Sequence, residues 1–228
     1  MHYVMSDIHG EFDRYKRMLD MIQFSDADDL YIIGDMIDRK AEGIEIVEDV
    51  MSRPNVHAML GNHEQMCLDT FSRKFLAKQQ WERNGGTVTY RTLQYKRSLE
   101  QRTAILHFMR NLPVTMDLEV NGKSFFLVHG WPGFSSVKED MIWDRPTQFC
   151  KNPIEGKTVI VGHTPVLYFH VCKGQSATPY ILELMEQNDH LRIFHGEGWM
   201  GIDCGCGNST DVRRLACIRL EDGVEFYA

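Results

Sequence analysis

Side chains that bind metals or exchange protons follow five short apolar segments, each at the point where the segment ends. Four of the apolar runs end in Gly or Ser and the one before His129 ends in Val128, and carboxylate, imidazole or amide groups come directly after each run. The segments are YVMSDIHG (3–10), LYIIGDMID (30–38), HAMLGNHE (57–64), SFFLVHGWP (124–132) and TVIVGHTP (158–165). A single polar residue at such a position usually caps a helix or forms a turn. The same design at five places instead indicates one shared site.

The side chains delivered by these segments are of the kinds that bind transition metals. They are Asp7, His9, Asp35, Asp38, Asn62, His63, Glu64, His129 and His163. The set mixes nitrogen and oxygen ligands and holds no cysteine, which suits Mn, Fe or Zn, and it has too many histidines for a magnesium site. A carboxylate shared by two ions would build a two-metal hydrolytic centre.

The elements that must position these groups follow from the hydrophobic pattern. The five apolar segments have the length and composition of buried strands. Residues 11–23 and 42–52, which separate the first three segments, carry apolar side chains at helical spacing. Alternating strands and helices predict a parallel sheet, and the site of such a sheet lies at the carboxyl ends of its strands.

The rest of the chain adds two regions. Residues 64–111 are charged and largely helical in pattern, and we expect them to form a helical insertion over the site. After residue 166 the segments 180–186, 191–196, 199–205 and 215–228 are β-rich, which predicts a second sheet packed on the first. Because no repeat or linker divides the sequence, we expect one domain over residues 1–228.

Five motifs in a fixed order carry a resemblance to a known family. SDIHGEF, GDMIDRK, GNHEQ, VHG and VGHTP resemble the motifs of calcineurin-like metallophosphatases. They resemble most closely the bacterial and phage serine/threonine protein phosphatases of the phosphoprotein phosphatase group, from Ser6 to the end of the chain. The resemblance implies an α/β fold, a sandwich of two mixed β-sheets flanked by helices, with the helical insertion over the active site. It also implies two divalent metal ions, with Mn²⁺ expected and Fe or Zn as the alternatives.

The resemblance assigns the metal ligands residue by residue. One metal ion would be held by Asp7, His9 and Asp35. The other would be held by Asp35, Asn62, His129 and His163, with Asp35 bridging the two ions.

The same resemblance assigns the acid and the phosphate-binding residues. His63 would be the general acid for the leaving oxygen, and Asp38 would hold it cationic and oriented. Arg39 and Arg145, the latter in the segment MIWDR (141–145), would grip the phosphate with their planar guanidinium groups. Lys40 stands where the group tends to have Gly, and we expect its side chain in solvent.

The expected reaction is hydrolysis of phosphoserine and phosphothreonine monoesters by in-line attack of a metal-bridging hydroxide. Relatives with the same motifs include symmetrical diadenosine tetraphosphate (Ap4A-type) hydrolases, so hydrolysis of a dinucleoside tetraphosphate or another nucleotide is the alternative. A non-catalytic scaffold with this fold is a further alternative, which loss of several ligands would mark. The expected partner is a phosphorylated protein or a small phosphoester.

Composition excludes several other classes. The 228 residues carry a net charge of -7 and a pI of about 5.8. Without a basic tail, a nucleic acid is a poor candidate for the main partner, and a nuclease is disfavoured for the same reason. No apolar run approaches the ~20 residues of a membrane span, and the first residues lack the features of a secretory signal. With six scattered cysteines expected to be reduced thiols, we predict a cytoplasmic protein.

Some patterns only imitate functional motifs. CLDTFSR (67–73) has the cysteine–arginine spacing of thiol-dependent phosphatases but lacks their glycine-bearing phosphate loop. His195 lacks the strand-then-helix context of the other histidines, and we expect it at the surface. Within the insertion, Trp81 is expected to contribute to local packing and Glu64 to place a negative charge at a helix N-terminus.

Overall fold

The computed structural model describes residues 1–133, 137, 139–171 and 174–228. The first of its two sheets begins with three parallel strands, β1 (His2–Met5), β2 (Asp29–Ile32) and β3 (Val56–Ala58). Two antiparallel strands near the C-terminus, β9 (Ala216–Arg219) and β10 (Glu225–Tyr227), complete it in the order β10-β9-β1-β2-β3.

The second sheet is also mixed. Its strands are β4 (Thr115–Val120), β5 (Lys123–Val128), β6 (Thr158–Val161), β7 (Phe194–His195) and β8 (Trp199–Gly201). They lie in the order β4-β5-β6-β8-β7, with β5, β6 and β8 parallel and the two outer strands antiparallel to their neighbours.

Seven α-helices are described around these sheets. They are α1 (Phe12–Met21), α2 (Gly43–Ser52), α3 (Asn62–Phe71), α4 (Ala77–Arg83), α5 (Thr87–Arg91), α6 (Leu99–Arg110) and α7 (Thr178–Glu186). A π-helical turn (Thr92–Lys96) continues α5, and two short 3₁₀ helices lie at Asp140–Ile142 and Val166–Phe169. No helix in the described ranges is both long and apolar enough to cross a membrane.

Alternation along the strands builds two cores. On β1, Met5 faces the helices of the first layer, while Val4 faces the second sheet. On β2, Ile32 faces the helices and Tyr31 faces the second sheet. A parallel sheet buried on both faces needs continuous apolar strands, which is why these segments show no polar alternation. The fold is the predicted sandwich of two mixed β-sheets flanked by helices.

Three details differ from the sequence analysis. Residues 215–228, expected in the second sheet, form β9 and β10 of the first sheet, where β9 pairs with β1 and β10 pairs with β9. Residues 180–186, expected as part of the second sheet, lie in α7, because Ile181, Leu184 and Met185 recur at helical rather than strand spacing and Leu184 packs into the core. Strand β4 was not predicted. Most of its side chains are exposed or half-buried, which is a pattern typical of a loop. The strand is ordered by its pairing with β5.

Candidate active site

The five motifs converge because their strands end at one edge of the sandwich. Asp7 and His9 follow β1, Asp35 and Asp38 follow β2, and the motif after β3 opens helix α3. His129 and His163 follow β5 and β6 of the other sheet. Every candidate metal ligand named in the sequence analysis is at least nine-tenths buried there.

Left-handed backbone conformations turn the side chains toward the centre of this edge. Asp7, His9, Asp35 and His163 have φ values of 53°, 50°, 57° and 60°. Asp and His are among the residues other than glycine that adopt this conformation more often than the rest. Gly34 leaves room for the approach of the two sheets, because a Cβ there would lie 2.6 Å from the Cα of Gly61 and 2.7 Å from Nδ1 of His129.

Asp35 lies at the centre of the cluster. Its Oδ2 is 3.6 Å from Nε2 of His9 and 3.8 Å from Nε2 of His63, and its Oδ1 is 3.3 Å from Nε2 of His129. Two groups of side chains have ligand atoms that all lie within 4.8 Å of one another: His9, Asp35 and His63, and Asp35, His129 and His163. Both groups contain Asp35, so its carboxylate is common to the two candidate cation sites.

Hydrogen bonds to backbone carbonyls set the orientation of three imidazoles. Nδ1 of His9 is 3.1 Å from the carbonyl oxygen of Ile37, and Nδ1 of His129 is 2.7 Å from that of Ile33. For His163 the bond is made by Nε2, which lies 3.1 Å from the carbonyl oxygen of Trp143. In each ring the other nitrogen is left for the centre, as metal-binding histidines require.

Asp7 and Asn62 complete the polar lining. The Oδ2 atom of Asp7 accepts hydrogen bonds from Ser6 Oγ and from the backbone N–H of His163, the latter at 3.0 Å, while its Oδ1 lies 3.9 Å from Nε2 of His9. The Oδ1 atom of Asn62 lies 3.0 Å from Nε2 of His129. The donor set of imidazole, carboxylate and amide groups therefore fits two transition-metal ions.

The charged side chains of the cluster shift one another's pKa values. Burial acts to raise the pKa of Asp35, but the imidazoles of His129 and His63 outweigh it and hold the pKa well below its usual range. Burial acts to lower the pKa of His129, but Asp35 raises it to about 10. A cation that binds here therefore displaces a proton held between an imidazole and a carboxylate.

His63 and Asp38 form a buried ion pair beside Asp35. Nδ1 of His63 lies 2.6 Å from Oδ2 of Asp38, and because a carboxylate only accepts, Nδ1 is the donor. Burial acts to lower the pKa of His63, but Asp35 and Asp38 outweigh it and raise the pKa. The two carboxylates therefore favour the protonated form of the ring, and Nε2 faces the cluster.

The carboxylate of Glu64 accepts hydrogen bonds from three backbone N–H groups, two of which lie outside its own helix. One carboxylate oxygen accepts the backbone N–H groups of Gly61 and Asp35 at 3.1 and 2.9 Å, and the other accepts that of Met36 at 2.8 Å. The first of these bonds belongs to the N-terminus of α3, as expected. The other two join that helix to the loop after β2 and fix the backbone of Asp35.

A groove of about 710 Å³ opens beside the cluster. Arg39, Arg145 and Asn208 line it, together with His163. Arg145 donates to the carbonyl oxygen of His163 at 2.7 Å, and Arg39 donates to Oδ1 of Asn208 at 3.0 Å. Two guanidinium groups therefore line the same groove, beside the buried cluster.

The residues that the sequence analysis placed outside the site lie where it expected them. Lys40 is half exposed, with Nζ 3.6 Å from a carboxylate oxygen of Glu11. His195 is an exposed partner of Glu225 at 2.6 Å. Cys67 is fully buried in α3, and burial raises its pKa well above the usual range, so it cannot supply a thiolate. The five described cysteines are unpaired, and Cys172 lies outside the described residues.

Sequence reasoning missed three residues at the site. Trp81 donates its indole N–H to Asp38, and Asn208 binds Arg39 across the groove. Gly207 lies so close to His9 that a Cβ there would stand 2.5 Å from the imidazole Cδ2. Only the Trp81 segment carried a sequence signal, the Asn-Gly-Gly turn that follows it, and nothing local marked the other two.

Comparison with known proteins agrees with this geometry. A family model for calcineurin-like phosphoesterases matches residues 3–196. Serine/threonine-protein phosphatase 2 of Salmonella typhimurium is 30% identical over 180 residues, covering 73% of this chain and 80% of that protein. The symmetrical bis(5'-nucleosyl)-tetraphosphatase of Wigglesworthia glossinidia brevipalpis is 37% identical over 65 residues, covering 28% of this chain and 24% of that protein.

The fold is shared with solved structures. A protein serine/threonine phosphatase from Saccharomyces cerevisiae aligns with a TM-score of 0.59 over 100% of this chain and 79% of that chain, at 12% sequence identity, which is a likeness of fold alone. The family model, by contrast, covers most of the chain and includes all five motifs. The chain therefore belongs to the calcineurin-like phosphoesterase family.

Proposed function

We propose that this phosphoesterase removes phosphate from phosphoserine and phosphothreonine side chains of proteins. The observation that carries the proposal is the His63–Asp38 pair, an imidazole that bonds to Asp38 through Nδ1 while its Nε2 faces the carboxylate of Asp35. Alkyl esters such as phosphoserine need a proton on the leaving oxygen, and this pair is built to supply one. The extent of the likeness to a bacterial serine/threonine phosphatase supports the same substrate class.

Two divalent cations fit the donor set, with Mn²⁺ proposed and Fe or Zn as alternatives. One would be held by Asp7, His9 and Asp35, and the other by Asp35, Asn62, His129 and His163. When bound, such ions supply Lewis-acid polarisation of phosphoryl oxygens and a hydroxide nucleophile at neutral pH. His63 also lies within the first geometric group, so its assignment as acid rather than ligand is part of the proposal.

The phosphate group is bound by two arginines in this proposal. Arg39 and Arg145 line the same groove next to His163. A planar guanidinium group matches two phosphoryl oxygens at once, and charge that develops on those oxygens strengthens the contact in the transition state. The bond from Arg145 to the carbonyl oxygen of His163 fixes one guanidinium relative to the cluster.

The proton is delivered from Nε2 of His63 to the leaving oxygen of serine or threonine. Asp38 stabilises the imidazolium before the transfer and keeps Nδ1 protonated during it. The ring is 2% exposed, so bulk water has little access to the proton before the substrate arrives. The chain's own contribution to the reaction is therefore an oriented acid and a pair of phosphate-binding arginines.

Hydrolysis of a dinucleoside tetraphosphate is the second candidate. It is favoured by the symmetrical bis(5'-nucleosyl)-tetraphosphatases among the relatives, which match this chain over stretches of 64 to 72 residues. A groove of about 710 Å³ lies within the size range of sites for small organic ligands. Phosphoprotein hydrolysis remains the first candidate, because the serine/threonine phosphatase aligns over most of its own length and most of this chain.

One experiment separates these candidates. Protein stripped with a chelator and reloaded with Mn²⁺ is assayed for phosphate release from a phosphothreonine peptide and for cleavage of diadenosine tetraphosphate. Asp35→Asn is the control, because it removes the shared negative charge. We expect the peptide to be the better substrate. A clear preference for the dinucleotide would change the substrate class, and failure on both substrates with Mn²⁺, Fe²⁺ and Zn²⁺ would favour a non-catalytic scaffold.

The remaining expectations stay predictions. They are a single domain over residues 1–228, with the insertion of residues 64–111 over the active site, and a cytoplasmic location.

A further inference from the structure

The indole of Trp81 reaches the acid pair from the helical insertion. Trp81 lies on α4 and is fully buried. Its Nε1–H donates to Oδ2 of Asp38 at 2.6 Å, and the same oxygen accepts from Nδ1 of His63 at 2.6 Å. One carboxylate oxygen thus accepts from two donors, Trp81 of the insertion and His63.

The other oxygen of Asp38 has no such anchor. Oδ1 is buried and has no hydrogen-bond partner among the residues that the structure describes. The orientation of the carboxylate about its last side-chain bond therefore depends on the two donors at Oδ2. Without Trp81, the carboxylate would be held by His63 alone, and the pair could rotate together.

The insertion also holds the backbone beneath the pair. The N–H of Asp38 donates to Oγ1 of Thr89 at 3.0 Å, and the N–H of Arg39 donates to the carbonyl oxygen of Gly85 at 3.2 Å. Both Asp38 and Arg39 have left-handed backbone, with φ of 75° and 66°. Strained residues of this kind persist where their surroundings hold them, and here the surroundings are α4, α5 and the turn between them.

Packing leaves the indole little freedom to move. The ring of Trp81 lies edge-on to Phe71 and to Tyr90, with centroids 6.4 Å away in both cases. At Gly86, the second glycine of the Asn-Gly-Gly turn, a Cβ would stand 2.3 Å from the indole Nε1. That glycine is therefore needed for the ring to lie where it does, which gives the turn a purpose beyond ending a helix.

We propose that Trp81 is a positioning residue for the reaction, through which the helical insertion aims the Asp38–His63 pair at the leaving oxygen. This inference rests on the proposed function, because it assumes that His63 gives up a proton. It assigns the insertion a role in turnover rather than in covering the site alone.

The kinetic test compares Trp81→Phe with Trp199→Phe. Each variant loses one buried indole N–H, since Trp199 donates to the carbonyl oxygen of Cys150 at 2.9 Å, away from the acid pair. For Trp81→Phe we expect kcat on a phosphothreonine peptide to fall about 10-fold, part of what a general acid contributes. KM should stay within about twofold, because Trp81 touches no substrate. On p-nitrophenyl phosphate, kcat should fall no more than about twofold, because that leaving group hardly needs the proton. Trp199→Phe should match the wild type on both.

Equal loss on both substrates, or loss in Trp199→Phe as well, would overturn the proposal in favour of a general packing role. Thr89→Val offers a second variant that leaves the indole in place. It removes the acceptor for the N–H of Asp38 and should reproduce the preference for the aryl ester.

A spectroscopic readout does not depend on activity. The chain has four tryptophans, so the indole N–H signals can be assigned by loss in Trp81→Phe and Trp199→Phe. A bond to a carboxylate should place the Trp81 signal at low field, and Asp38→Asn should move it upfield. A signal unmoved by Asp38→Asn would overturn the proposal. If the signal moves but the wild type hydrolyses neither ester, the positioning contact stands and the proposed function fails instead.

Discussion

Replacing His63 by alanine tests whether this residue is an acid or a metal ligand. Its Nε2 is 3.8 Å from Asp35, and it belongs to one of the two groups that could hold a cation. As an acid, its loss should lower kcat on a phosphothreonine peptide by about 10² to 10⁴-fold, or about 3 to 5 kcal/mol of transition-state stabilisation. Turnover of p-nitrophenyl phosphate should fall less than about 10-fold, because that leaving group departs without a proton.

The metal content of the variant provides the second half of the test. If Asp7 rather than His63 completes the first ligand set, His63→Ala retains two metal ions per chain by elemental analysis. His195→Ala is the matched control, since His195 is an exposed partner of Glu225 and should change neither quantity. Loss of one metal ion together with equal loss of turnover on both esters would refute the reasoning and make His63 a ligand.

Two further substitutions probe the surroundings. Arg145→Lys keeps the charge but loses the planar guanidinium group. We expect kcat/KM on the phosphopeptide to fall about 10 to 100-fold, with no change in metal content. An unchanged kcat/KM would remove Arg145 from the phosphate site. Cys67→Ala should keep turnover within about twofold while lowering the free energy of unfolding by about 1 to 2 kcal/mol, because the thiol is fully buried and its pKa is raised well above the usual range. Loss of all activity in Cys67→Ala would revive a thiol mechanism.

The clustering of the candidate metal ligands was predictable because each of them lies close to the end of a strand. Asp7, Asp35, Asn62, His129 and His163 each come within five residues of the last residue of a strand. Parallel strands of one sheet end at a common edge, so local patterns were enough to infer that Asp7, Asp35 and Asn62 converge. His129 and His163 follow strands of the other sheet, and the packing of the two sheets brings them to the same edge. The helices and most strands were predictable for a similar reason, since their apolar periodicity is local.

Other parts of the site depend on contacts that no local pattern carries. Asn208 meets Arg39 from 169 positions away, and Gly207 meets His9 because the chain returns to the first sheet after β8. The indole of Trp81 contacts Asp38 only because the insertion folds back over the loop after β2. Strand β4 was missed because its order comes from β5 rather than from its own composition.

The left-handed backbone at Arg39 yields a prediction about stability. Its φ is 66°, a conformation that costs an L-residue about 1 to 2 kcal/mol and glycine almost nothing. The side chain is exposed, so Arg39→Gly and Arg39→Ala lose similar packing. Glycine also gives the unfolded chain more conformational entropy, which offsets part of this gain. The Gly variant should still be about 0.5 to 1 kcal/mol more stable than the Ala variant. Urea unfolding of the metal-free proteins measures this difference. Both variants should lose phosphate binding alike, whereas an Ala variant as stable as the Gly variant would mean that the turn held by Gly85 stores no strain.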